Sequence, residues 1–141
     1  VIWLALFLAQ ADGVERTKED EAFCSSDKSG QPYRFCMADR EHARAERQLV
    51  VAFARARRAA VEQKRRIDAF RRSTGDVTLL GNPMLVLETS QRVWERSFRA
   101  DCHLLGLASA TGNAGTEGVT ASLKCEVDRI QQRVQFLEQA F

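Results

Sequence analysis

The 141-residue chain has no long hydrophobic run, only two prolines, one tyrosine and two methionines, and a formal charge of only +2. Its longest apolar stretch, Val1 to Ala9, is nine residues, whereas a helix that crosses a bilayer needs about 20. No transmembrane span is therefore expected in the mature chain. Sustained strand alternation with hairpin punctuation is missing, which argues against a sheet fold. G-x-S-x-G, H-E-x-x-H, a Walker A run and C-x-x-C are all absent, so no enzyme activity and no cofactor are expected. The carboxylates Glu88, Glu95, Asp101 and Asp128 show no spacing that singles out an acid/base pair, and charged groups at such positions usually decorate exposed helix faces. No base-stacking aromatic interleaves the arginines and the one tyrosine is remote from them, which argues against nucleic acid as a partner.

What is present suits one soluble domain: 45% of the residues are apolar and 28% charged, enough for one core and too little length for two. Residues 1–11 carry no charge and end in Ala9-Gln10-Ala11, an A-x-A site after an apolar core of signal-peptide length. A leader remnant over 1–11 is expected, with the mature chain starting near Asp12. The competing reading is a buried apolar helix start. Four cysteines, Cys24, Cys36, Cys102 and Cys125, form an even set, and an exported chain is where disulfides persist. The expected location is periplasmic or secreted. A zinc site using these thiols with His42 or His103 is the rival, but it lacks the close cysteine pair such sites show.

Leu49, Phe53, Ala56, Ala60, Gln63, Ile67 and Phe70 follow a 4-3-4 rhythm, the mark of one face of a helix. That helix is expected from about Cys36 to Arg72, ended by Ser73-Thr74-Gly75-Asp76. Met84, Leu87, Gln91, Trp94, Phe98 and Leu105 continue the rhythm in a second helix after Gly81-Asn82-Pro83. A Gly-rich break from Gly106 to Gly118 precedes a third stripe, Leu123, Val127, Ile130, Val134, Leu137 and Phe141. The expected fold is all-α: a three-helix bundle with a long first helix, residues 36–141 forming the helical domain and 12–35 a disulfide-tied N-terminal arm.

A first helix of about 37 residues spans about 55 Å and the other two about 33 Å each, so it must overhang, kink or break. If Phe70 lies opposite Met84, the natural bridges are local, Cys24 to Cys36 and Cys102 to Cys125. If Cys36 sits beside Cys102, the 73–83 connection runs back along the helix and leaves the Lys64 to Arg72 end protruding. Eleven residues reach up to about 36 Å, so both are allowed. Four cysteines permit three pairings; the local pair is preferred here, with the others open.

Charge is uneven. Residues 36–72 hold 11 basic and 5 acidic side chains, +6, while 1–35 and 73–141 each carry −2. Arg55, Arg58, Lys64, Arg65, Arg66, Arg71 and Arg72 are the candidate partner surface, able to attract an acidic protein or an anionic envelope surface. The plainer reading is a solvated helix face supported by Glu62–Arg66 and Asp68–Arg72 pairs at i, i+4. Gly112, Gly115 and Gly118 could cradle an anion before the third helix, although a flexible connector with Thr116 near the cap is the simpler account.

More specific is a set of spacings. Ser90-Gln91-Arg92-Val93-Trp94, Cys102 eight residues after the tryptophan, Ala114-Gly115-Thr116, Cys125 nine after the threonine, and Arg133 eight further together resemble the N-terminal domain of LprI-type lysozyme inhibitors. Cys24 and Cys36 look like that family's opening pair, so the resemblance spans 24–141. It implies a small, exported, helical, disulfide-bearing domain whose named family activity is inhibition of lysozyme. Gln91, Trp94, Gly115, Thr116 and Arg133 are then motif residues with structural roles: Trp94 a core anchor, Gln91 and Arg133 bonding across helices or to loop carbonyls. The chain departs from the family where Ser97-Phe98-Arg99 replace an aromatic-Arg-Asp run, where Glu126 replaces an apolar residue, and where Ile130 replaces a common threonine.

The first functional expectation is a binding module that grips, and can inhibit, lysozyme or another cell-wall hydrolase, with the 106–118 loop as the plug. Host lysozymes are generally strongly basic, so the +6 helix would repel one unless the acidic flanks face it. The second is an envelope adaptor whose arginine-rich helix docks on an anionic surface.

Overall fold

A computed structural model describes residues 18–24, 30–75, 81–110 and 115–141; the leader expected over 1–11, and Gly112 of the expected anion cradle, lie outside them. Four helices follow in order: α1 (Lys18–Phe23), α2 (Gln31–Thr74), α3 (Pro83–Ser109) and α4 (Gly115–Ala140). The described residues contain no strand. Three long helices thus form the expected all-α bundle, preceded by a short helix within the arm.

α2 starts five residues earlier than the apolar rhythm indicates. Gly30 stands extended at the N-cap and Pro32 occupies the first turn, where a missing N–H costs nothing. The helix then runs 44 residues, about 66 Å at 1.5 Å per residue. Gly75 closes it in the left-handed conformation at φ 71°, its N–H donating to Arg71 O at 2.9 Å, a geometry glycine adopts without a Cβ penalty. Asn82 caps α3, its side chain accepting from Met84 N at 3.0 Å, with Pro83 behind it.

The core face of α2 is built of alanine. Ala38, Ala45, Ala52, Ala56 and Ala60 are buried, and Leu49 and Phe53 pack partly buried against the same clusters, so the face marked by the apolar rhythm is the one turned to the core. Small side chains let helix axes approach closely, and α4 fills the space. Ile130 and Val127 meet Ala45, Phe98 and Cys102; Leu137 meets Ala52, Ala56, Ala60 and Leu87. These pairings set the register. α3 runs antiparallel to both neighbours, and α4 runs alongside α2 in the same direction.

Register also places the overhang. Leu137, near the end of α4, and Met84, at the start of α3, both pack against the Ala56–Ala60 region, and Ala60 is the last buried residue of α2. Residues beyond Lys64 therefore project about 15 Å past the bundle, and Phe70, expected on the core stripe, is exposed. The bridges are nonetheless the local ones, Cys24–Cys36 and Cys102–Cys125, separated by 12 and 23 residues. A protruding helix end and local bridges coexist because the opening pair ties α1, and neither α3 nor α4, to α2.

The Gly-rich break is shorter than its glycines indicate. α3 continues to Ser109 and α4 resumes at Gly115, so Gly106 and Gly118 are buried inside helices. A Cβ on Gly106 would lie 2.7 Å from Gly118 O, and one on Gly118 2.5 Å from Gly106 O. Glycine serves a close helix approach here. The described flanks of the expected plug, 106–109 and 115–118, are thus helical; 111–114 lie outside the described residues.

Candidate functional site

α3 and α4 bring three motif residues together. Arg133, buried on α4, donates from Nε to Gln91 Oε1 at 2.9 Å and from a terminal nitrogen to Ser90 Oγ at 3.0 Å. Gln91 passes the interaction on, its Nε2 donating to Glu95 Oε1 at 3.0 Å. The guanidinium carbon lies 5.5 Å from the Trp94 ring centroid and 5.1 Å from that of Phe136, in range of cation–π attraction. Burial lowers the Arg133 pKa from its ordinary value, and the nearby Glu95 carboxylate pulls it back up. Trp94 stacks on Phe98 at 4.3 Å and packs at the edge of the core, half-buried. Gly115 and Thr116 do not join this group. They sit exposed at the start of α4, about 26 Å along the helix from Arg133, and the Thr116 carbonyl accepts from Thr120 Oγ1 at 2.8 Å.

A second polar cluster crosses all three long helices. His42 Nε2 lies 2.9 Å from Glu126 Oε2 and 3.8 Å from Glu46 Oε1, while Arg99 reaches Glu126 at 3.5 Å and Glu46 at 3.3 Å. The departures noted in the sequence thus explain one another. Phe98 is buried in the core, which turns Arg99 outward to meet Glu126, the residue standing where an apolar one is usual. Nearby, the thiols of all four cysteines are consumed in disulfides, so they cannot act as a thiolate ligand set. Among the described residues no group of three or more His, Cys, Asp or Glu could hold a metal ion.

A third cluster had no signal in spacing or motif. Asp20 of α1 is buried, and its carboxylate takes Arg40 Nε at 2.8 Å and also pairs with Arg44. Arg40 lies over the Phe23 ring at 4.7 Å. With the Cys24–Cys36 bridge and the Cys24, Tyr33 and Met37 cluster, this fixes α1 against α2.

The candidate partner surface lies wholly on α2. Arg55, Arg58, Arg65, Arg66 and Arg72 are exposed, and Lys64 and Arg71 half-buried. Lys64 donates to Asp68 at 2.6 Å, and this bond, with the charges of Lys64, Arg71 and Arg72, holds the Asp68 carboxyl below its usual pKa. Arg65 and Arg66 make only loose, exposed pairs with Glu62, at 3.7 and 3.4 Å, which add little rigidity. At the base of the overhang Ala54, Arg57, Arg58, Val61, Glu62, Arg65 and Met84 line a shallow groove, three arginines and one carboxylate among apolar side chains.

The family model described as Lysozyme inhibitor LprI matches residues 24–137. No curated protein and no solved structure matches the chain.

Proposed function

The chain belongs to the LprI lysozyme-inhibitor family, and from that premise we propose that it is an exported binding module that holds, and blocks, a cell-wall hydrolase of the lysozyme type without catalysis of its own. The observation that carries this is the extent of the match, from the first cysteine of the arm bridge to the last turns of α4. Two disulfides support an extracytoplasmic setting, periplasmic or secreted, and no described helix is long and apolar enough to cross a membrane. Blocking needs only a shape that occupies the substrate cleft.

Titration of oxidised protein into lysozyme acting on cell walls tests the proposal. Slowing that saturates at a fixed stoichiometry is the expected result. No slowing at micromolar excess, at low and moderate salt alike, removes inhibition. The exposed basic face of α2 favours a second reading, an adaptor for an anionic envelope surface. That reading requires vesicle or peptidoglycan binding that weakens when Arg65, Arg66, Arg71 and Arg72 become alanine.

A further inference from the structure

The end of α2 is built as a projection past the last contacts of α2 with α3 and α4 at Ala60. Past Lys64 it leaves α3 and α4 behind, yet it remains helical to Thr74. Isolated helical turns are marginal in water, and this end has its own supports. Gly75 N–H donates to Arg71 O, and the Ser73 and Thr74 hydroxyls both donate to Phe70 O at 2.9 Å. Its two sides differ: Lys64, Ile67, Asp68 and Arg71 are half-buried, whereas Arg65, Arg66, Ala69, Phe70 and Arg72 are exposed. At 100° per residue Arg65, Arg66, Ala69 and Arg72 share one face, with Phe70 at its edge. Arg72 has no acidic neighbour within ion-pair distance among the described residues, and Arg65 and Arg66 share the single carboxylate of Glu62. The face is thus a rod tip carrying excess positive charge and one apolar ring, continuous with the Arg57–Arg58–Met84 groove at its base.

The partner chemistry follows from charge and shape. Glycoside hydrolases hold two carboxyl groups facing each other across a cleft, about 5 to 9.5 Å apart. A projecting tip with guanidinium groups on one face two turns, about 10 Å, apart is complementary to such a pair, since arginine has a long flexible stem and binds carboxylates in forked geometry. We infer that the 65–74 end of α2 is the element that enters the hydrolase cleft, with Arg65, Arg66 and Arg72 facing its carboxylates and Phe70 against its apolar wall; this rests on the hydrolase-binding reading above. The tip resolves the charge difficulty of that reading. Only the end of the +6 helix meets the partner, inside a cleft where charge is locally negative, and the rest of the basic face stays at a distance. It also replaces the 106–118 segment as the inserting element, since Gly106 and Gly118 are packed into helices.

The test compares two triple variants with equal loss of charge, using a c-type lysozyme as probe. The tip triple is Arg65→Gln, Arg66→Gln and Arg72→Gln. The control triple is Arg92→Gln, Arg96→Gln and Arg129→Gln, on exposed positions of α3 and α4. Circular dichroism and thermal melts establish that both retain the fold. The tip triple is expected to weaken inhibition at least tenfold and the control less than twofold, and a chito-oligosaccharide filling the cleft should displace wild-type protein. Equal effects of the two triples, or undiminished inhibition by the tip triple, place the contact elsewhere while the hydrolase reading stands. Wild-type protein that never binds the lysozyme removes both. Tip-dependent binding to anionic phospholipid vesicles, with lysozyme binding unchanged between variants, makes the tip a surface anchor and overturns the inference.

Discussion

Arg133 is a buried cation hydrogen-bonded to two neutral acceptors, Gln91 and Ser90, which makes it a demanding residue for the bundle. Removing Gln91 leaves the guanidinium with Ser90 Oγ, the Trp94 and Phe136 rings and the Glu95 charge, so Gln91→Leu is expected to cost about 2 kcal/mol in urea unfolding, the worth of one hydrogen bond to a charged group. Arg133→Met combined with Gln91→Leu should cost less than the two single changes summed, because the pair goes as a unit and apolar volume replaces it. A sum that is simply additive would mean the two residues do not act together. The same scale governs the glycine contact. Gly106→Ala gains about 1 kcal/mol of helix propensity but drives a Cβ to 2.7 Å from the Gly118 carbonyl oxygen, backbone that cannot rotate away. A net loss of about 1–3 kcal/mol is expected from overpacking, whereas Gly115→Ala, with nothing within 4 Å, should be harmless. Both glycines stand in a segment that composition marks as a break, and nothing in a list of glycines tells a close approach from a flexible turn.

At the level of the element, the apolar rhythm located all three long helices, because period 3.6 survives whatever the neighbours are. It gave the core face of α2, on which Ala56 and Ala60 are buried and Leu49 and Phe53 pack, but not where that face stops being covered: Phe70 continues the rhythm and is exposed, because α3 and α4 meet α2 only as far as Ala60. α1 was invisible for a different reason: six residues rich in acid, KEDEAF, carry no stripe. It depends instead on Asp20 meeting Arg40 and Arg44 from another helix, a long-range ion cluster that no local pattern encodes. Asp20→Asn should therefore raise amide hydrogen exchange across 18–24 at least tenfold and leave the centres of α3 and α4 unchanged. The tip of α2 offers a titration. Its Asp68 carboxyl is held low first by the hydrogen bond from Lys64 and then by the Lys64, Arg71 and Arg72 charges. A depressed carboxyl supports the folded helix above its unfolded pKa, near the ordinary 3.8, and this support disappears as pH falls through the lower folded value. NMR titration should find Asp68 below that ordinary value and Lys64→Gln should return it upward; an unmoved carboxyl would show that the Lys64 contact is not formed in solution.

For the whole molecule, the two disulfides do different work although chain entropy values them alike. The loops they close, with separations of 12 and 23 residues, correspond to about 2.9 and 3.4 kcal/mol at 25 °C in the loop-closure model. Their surroundings are what differ. Cys102 is fully buried beside Ala45, Phe98 and Ile130, one helical turn from the Gly106–Gly118 contact, whereas Cys24 and Cys36 join a six-residue helix to the start of α2. The even cysteine count made bridges legible in the sequence, and reach alone left their pairing open, because what settles it is the register of α3 against α2. The proposed surface was legible to the same degree: the arginines were visible as a charge excess, but only the position of Ala60 as the last buried residue of α2 shows that Arg65, Arg66 and Arg72 lie past the covered part of the helix. Replacing Cys102 and Cys125 together by serine is expected to lower the melting temperature by about 10 °C, the shift that about 3 kcal/mol produces in a chain of this size. Replacing Cys24 and Cys36 should barely move the main transition, because the lost constraint falls on α1, which unfolds locally. Inhibition by an element at the far end of α2 then survives loss of the arm bridge, and at temperatures below the lowered melt it survives loss of the core bridge as well; inhibition that vanished with Cys24 and Cys36 while the bundle stayed folded would assign binding to the arm.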